Sequence, residues 1–201
     1  MRLLFVGDGA RDAATVPRLV ERFLGVPVHE ETRPWARLHR GRGYRAKLRF
    51  ALKQAQVSQS DGLVATVDAD KDRQDRRLRE LKAAGDEHRS ASPAFPTTLG
   101  RAIPHGEAWL LDDPSAVKNV LGLLSSTEIP TVTTRGDCKS ILEGLWRGSD
   151  RTKESPTIIW AEIARQVDPQ RSNHRHETGF EDFLDEVRRE LGPLSSDQHP
   201  G

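Results

Sequence analysis

The chain has one cysteine, Cys138, in 201 residues. That excludes an internal disulfide and any multi-cysteine metal site, and it fits a reducing compartment. Long apolar runs are missing as well. No stretch approaches the roughly 18 apolar residues of a membrane span. The N-terminal "MRLLFVGDG" carries too short an apolar run for a signal peptide. The expectation is a cytoplasmic protein without a membrane partner. Charge of one sign is also lacking: 31 Lys and Arg against 30 Asp and Glu leave a net +1, which by itself selects no partner. Neither G-x-G-x-x-G nor a P-loop pattern occurs, so the common phosphate cradles for nucleotides are absent, and there is no EF-hand loop. No motif supports Ser/His/Asp catalysis.

What is present is patterned. "RLLFV" (2–6) is a buried-strand candidate ending in Gly-Asp-Gly. Residues 11–25 have helical spacing through Val16, Leu19, Val20, Phe23 and Leu24, with Gly25 placed to stop the helix. "VPVHEE" (26–31) is a second strand candidate, 44–57 a helix, "GLVATVDA" (62–69) the central strand, and 75–85 a charged helix stopped by Gly85. This β-α-β-α-β-α order predicts an α/β fold of Rossmann-like type, a mainly parallel sheet flanked by helices. Segment 85–98, rich in Ser, Pro and Thr, is expected to be a loop. One more strand should follow, then helices from Glu107 and Pro114, and helices over 136–148, 157–167 and 178–191. The tail from 193 to 201 has too little apolar surface to offset its ordering entropy and is expected to be disordered.

The densest chemistry lies in "VATVDADKD" (64–72), where a β-branched run ends in Asp68, Asp70 and Asp72. Alternate residues of a strand share a face, so Asp68 and Asp70 would repel one another unless a cation sits between them. Hard ions such as Mg²⁺ or Mn²⁺ take carboxylate oxygens. The competing reading is a set of solvated acids leading into a helix start. In parallel sheets sites form beyond the strand carboxyl ends, which would let Asp8 in the Gly-Asp-Gly turn meet Asp68 and Asp70. Asp8 or Asp12 can equally cap the following helix. Asp112 and Asp113, ahead of Pro114, are expected to be capping residues.

A second feature is the stretch 33–53, with eight Lys and Arg and no acid. Within it Arg37, Arg40, Arg42, Arg45, Lys47 and Arg49 are candidates for phosphate-backbone contacts, and Trp35 and Tyr44 for stacking. The plainer alternative is a solvated helix face, since Arg45, Arg49 and Lys53 recur every four residues.

These motifs resemble a known family. "DGARD" (8–12) is similar to the acidic-Gly-x-x-Asp motif of Toprim domains, and "DAD" (68–70) to their Asp-x-Asp. The segments "AIPHGEAWLLDD" (102–113) and "DCKSIL" (137–142) resemble a Toprim-like group related to the nucleases of the overcoming-lysogenization-defect type, which act in phage defence. The resemblance spans about residues 1 to 190. It implies a Toprim-like core over 1–125 and a helical portion over 126–192. It also implies a Mg²⁺- or Mn²⁺-dependent nuclease. In that reading Asp8, Asp68 and Asp70 are catalytic, and Asp72 and Glu107 are further metal candidates. Lys139 would meet a phosphate. The partners would be nucleic acid (DNA or RNA), a separate ATPase subunit and, for assembly, a homo-oligomer. The family's first acid is usually Glu where this chain has Asp8, one methylene shorter. That departure keeps an alternative open: a non-catalytic nucleic-acid-binding or assembly subunit with a degenerate site, serving the ATPase. A topoisomerase is disfavoured, because Tyr44 is the only tyrosine and there is no room for strand-gating domains.

Overall fold

The computed structural model describes residues 1–38, 43–69, 75–92, 95–130 and 137–196. Four strands form one parallel sheet in the order β2-β1-β3-β4: β1 (Arg2–Gly7), β2 (His29–Pro34), β3 (Gly62–Asp68) and β4 (Thr97–Ala102). Helices α1 (Ala10–Leu24), α2 (Tyr44–Val57) and α3 (Arg76–Ala91) make the crossovers. After β4 come α4 (Glu107–Leu111), α5 (Pro114–Leu121), α6 (Cys138–Arg147), α7 (Pro156–Gln166) and α8 (Phe180–Ser196). The fold is the expected α/β, Rossmann-like arrangement with a helical C-terminal part.

Alternation along the strands builds two cores. Leu3 and Phe5 of β1 face a large cluster with α1 and the helices α4 to α8. Leu4 and Val6 face a smaller one with Trp35, α2 and α3. β3 is buried along its whole length, as a central parallel strand must be. The larger core is fastened by Trp109 of α4. Its ring stacks on Phe183 at 4.9 Å and Phe180 at 5.4 Å, and its Nε1 donates to the carbonyl of Thr178 at 2.9 Å. Trp109, Leu110 and Leu111 are therefore core, as their apolar run suggested.

Several boundaries differ from expectation. β2 begins at His29 rather than Val26, because parallel pairing sets Arg2 opposite His29. As an edge strand it tolerates charged residues that a central strand would not. Helix α3 passes through Gly85 to Ala91, so much of the expected loop 85–98 is helix. Gly85 serves close packing there, since a Cβ would lie 3.2 Å from Leu99 Cδ1 of β4. Helix α8 continues to Ser196 past Gly192 and Pro193, so the first residues of the expected disordered tail are helical. No described helix is long and apolar enough to cross a membrane.

Candidate metal centre

Asp8, Asp12 and Asp68 converge at the carboxyl ends of β1 and β3, offering carboxylate oxygens that all lie within 4.8 Å of one another. The fold explains the meeting. β1 and β3 are adjacent and parallel, so the turn after Gly7 opens beside the last residue of β3. Asp8 Oδ2 accepts the backbone N–H of Asp68 at 2.8 Å, a bond across the crevice. Asp12 sits in the first turn of α1 and folds back. Its Oδ2 accepts the N–H groups of Asp8 at 2.7 Å and of Gly9 at 3.2 Å. That fold-back requires Gly7, where a Cβ would come within 2.7 Å of Asp12 Cβ. Asp68 Oδ1 accepts the Gly106 N–H at 3.1 Å, and Oδ2 meets Lys139 Nζ at 3.2 Å and His105 Nδ1 at 3.7 Å.

The electrostatics follow from burial plus like charge. Burial is the larger cause that pushes the Asp12 carboxyl up, to about 7, with Asp68 and Asp8 adding repulsion and the Asp8 N–H opposing it. Asp68 is also raised, first by burial, then opposed by Lys139 and reinforced by Asp8. Three carboxylates, one of them partly matched by Lys139, offer oxygen donors to a hard divalent cation, and Mg²⁺ or Mn²⁺ fits that donor chemistry. Asp12 also has a structural explanation, because an acid in a first helical turn that accepts N–H groups caps the helix. Capping engages its Oδ2.

Of the residues expected at the site, Asp8 and Asp68 come together as anticipated. Asp70 and Asp72 lie outside the described residues, as do Arg40 and Arg42. Glu107 does not join the trio. It is buried at the start of α4, where Arg11 donates to its Oε1 at 3.0 Å, and the same guanidinium reaches Glu143 of α6. Its charge is matched within the chain. Lys139 reaches the site, its ammonium 3.2 Å from Asp68 Oδ2, while its side chain stays partly exposed. Asp12 was missed as a ligand although it closes the "DGARD" motif. The signal was its spacing four residues after Asp8, which returns a helical side chain to the turn it follows. Cys138, at the start of α6, is buried, and burial pushes its thiol up to about 11, so it is an inert apolar group.

The basic stretch divides. Arg45 and Arg49 both pair with Glu87 of α3, Arg49 Nε at 3.0 Å from Oε2, so the acid missing from their own segment comes from a neighbouring helix. Trp35 is 2% exposed and donates Nε1 to the Thr66 carbonyl at 2.7 Å; it cannot stack on a base. Arg37 closes a 3-10 turn over Trp35–Arg37. Tyr44 and Lys47 are half-buried, and Tyr44 Oη lies 3.3 Å from Asp8 Oδ1. No protein-family model, curated protein or solved structure matches this chain.

Proposed function

We propose that the chain is a divalent-metal-dependent nuclease that hydrolyses phosphodiester bonds at the crevice between β1 and β3. The observation that supports it most is the convergence of Asp8, Asp12 and Asp68 from two strand ends and a helix start. Asp8, Asp12 and Asp68 would hold Mg²⁺ or Mn²⁺, which supplies concentrated positive charge against the charge developing on a phosphodiester. Asp8, fixed by the Asp68 N–H and the Tyr44 hydroxyl, is the group placed to accept a proton from an attacking water. Lys139, on the rim at Asp68, is placed to neutralise a phosphate oxygen. The Toprim assignment and a role in phage defence rest on the sequence resemblance.

One observation favours a second reading, a non-catalytic nucleic-acid-binding subunit serving a separate ATPase. Lys139 already pairs with Asp68, so part of the site's charge is met without a cation. The purified chain incubated with single- and double-stranded DNA and RNA, with Mg²⁺ and with Mn²⁺, separates the two. Cleavage abolished by Asp68→Asn supports the nuclease. Nucleic-acid binding without cleavage under any of these conditions supports the subunit.

A further inference from the structure

A cavity of about 380 Å³ lies between the C-terminal half of α1, the 3-10 turn Pro169–Arg171 and the N-terminal half of α8. That volume falls among small-molecule sites, which run from about 300 to 1,000 Å³. Its floor is apolar: Leu19, Val167, Phe180 and Leu184 are buried, and Phe23 is partly buried with Arg188 over its ring at 5.2 Å. Its wall is fixed from the core side. Buried Asp113 accepts the Asp168 N–H at 2.9 Å and Arg171 Nε at 3.0 Å, and Asp112 accepts the N–H of His174, one residue before Arg175. The lining carries three arginines and three acids. Four of these six are paired: Arg175 with Glu181 at 3.3 Å and Arg188 with Asp185 at 3.0 Å. Arg22 and Asp168 remain. Among the described residues Arg22 has no hydrogen bond or ion pair, and Asp168 has no cation, only the Gln170 N–H on its Oδ1 at 2.9 Å. The two line one cavity without closing on each other. A ligand bearing both charges answers both, a carboxylate on the guanidinium and an ammonium on the acid.

We propose that this cavity binds a small zwitterion with an apolar body, the chemistry of an apolar α-amino acid. Arg22 takes the carboxylate, Asp168 the ammonium, and the floor of Leu19, Phe23, Phe180 and Leu184 the apolar body. The site is independent of the nuclease reading, because Asp8, Asp12 and Asp68 are not part of its lining.

The test is calorimetric titration of the full chain with L-phenylalanine. Hydrocinnamate, which lacks the ammonium, and phenethylamine, which lacks the carboxylate, are the companion probes. L-phenylalanine should bind one-to-one and each companion about tenfold more weakly, the scale of one charge-assisted hydrogen bond. Arg22→Gln should weaken L-phenylalanine and hydrocinnamate about tenfold and leave phenethylamine unchanged. Asp168→Asn, whose amide oxygen still accepts the Gln170 N–H, should do the converse. Leu184→Trp fills the cavity and should abolish binding of all three, and Lys82→Gln, exposed on α3, should match wild type. Circular dichroism confirms the fold of each variant. Arg22→Gln, at an exposed position with no hydrogen bond to lose, stands as the test if Leu184→Trp is unfolded. No binding of L-phenylalanine in the millimolar range overturns the site. Equal affinity for the three probes overturns the zwitterion assignment. L-phenylalanine binding that survives both Arg22→Gln and folded Leu184→Trp undiminished places the ligand elsewhere and overturns the cavity as its site.

Discussion

Two groups of buried and half-buried acids among the described residues differ in what surrounds them. Between α4 and α5, Asp112 accepts the His174 N–H on both oxygens at 3.0 Å. Asp113, fully buried, accepts from Ser115 at 3.1 Å, Ala116 at 3.2 Å, Asp168 at 2.9 Å and Arg171 Nε at 3.0 Å. Between β1 and β3, Asp12 accepts two N–H groups yet faces two more carboxylates, and its pKa is pushed up to about 7. Burial pushes Asp112 up as it does Asp12, so the two groups differ in what faces them rather than in the direction of the shift. Donors converging on an acid make it a fastener, whereas acids converging on each other make a cost that persists where the arrangement is used.

The widest separation of the two groups should appear in catalysis. Asp68→Asn is expected to lower cleavage by about 10²-fold or more, the scale of a lost transition-state stabiliser or acid/base group. Asp113→Ala should leave the rate per folded molecule at the wild-type value. Initial rates normalised to folded protein check both, and a fully active Asp68→Asn would break the contrast.

Stability should invert the ranking. Asp113→Ala removes a helix cap, leaves the Asp168 N–H without its acceptor and unpairs Arg171, with an expected cost of about 3 kcal/mol. Asp68→Asn, in metal-free protein, relieves repulsion and is expected to be neutral or stabilising by about 1 kcal/mol. Urea unfolding midpoints in EDTA measure each.

The contrast was half legible in the sequence. "DDPSA" announces a cap because Pro at a first helical position and Asp before it have local meanings. Asp113 indeed caps α5, but Asp112 binds residue 174, a partner that no local pattern names. Strands β1 and β3 were readable from apolar runs bounded by turn residues, and their parallel order put Asp8 near Asp68. What spacing could not supply was tertiary: Glu87 reaching across to Arg45 and Arg49, Arg11 claiming Glu107, and Gly85 kept inside a helix for Leu99. Each is a contact between elements, where local propensity is silent.

The pH response sharpens the comparison further. Asp12 has its ordinary value of 3.8 when unfolded and about 7 when folded, so the folded state binds the proton more tightly. Its contribution favours the metal-free fold fully below about pH 4 and is lost as pH rises toward 7. Asp68 is shifted the same way. Urea midpoints in EDTA from pH 4.5 to 8 should therefore fall with rising pH, and Asp12→Asn should flatten that fall. Mn²⁺ should bind more tightly as pH rises through about 7, because a protonated Asp12 must release its proton to become a ligand. Calorimetric titration at pH 6 and pH 8 checks this, with Asp113→Ala as the variant that keeps the pH dependence of binding.

The smallest expected effect belongs to Tyr44→Phe. The acids between α4 and α5 are held mainly by backbone N–H groups, which no substitution of a neighbouring side chain removes. Asp8 is held by one such group, from Asp68 at 2.8 Å, and by the Tyr44 hydroxyl at 3.3 Å. Tyr44→Phe deletes the hydroxyl and keeps the ring on which Trp35, Lys47 and Arg77 rest. A long neutral-to-charged hydrogen bond on a half-buried group contributes about 0.5–1 kcal/mol, so cleavage should fall about three-fold. Oligonucleotide affinity should be unchanged, because no cation is removed. Tyr44→Ala removes the ring as well, and should lower both rate and stability. The pair of variants separates two roles of one side chain, the hydroxyl positioning Asp8 and the ring packing on Trp35. Equal rates in wild type and Tyr44→Phe would show that the Asp68 N–H alone orients Asp8. The candidate site would then resemble the acids between α4 and α5 in being set by backbone, and would differ from them only in charge.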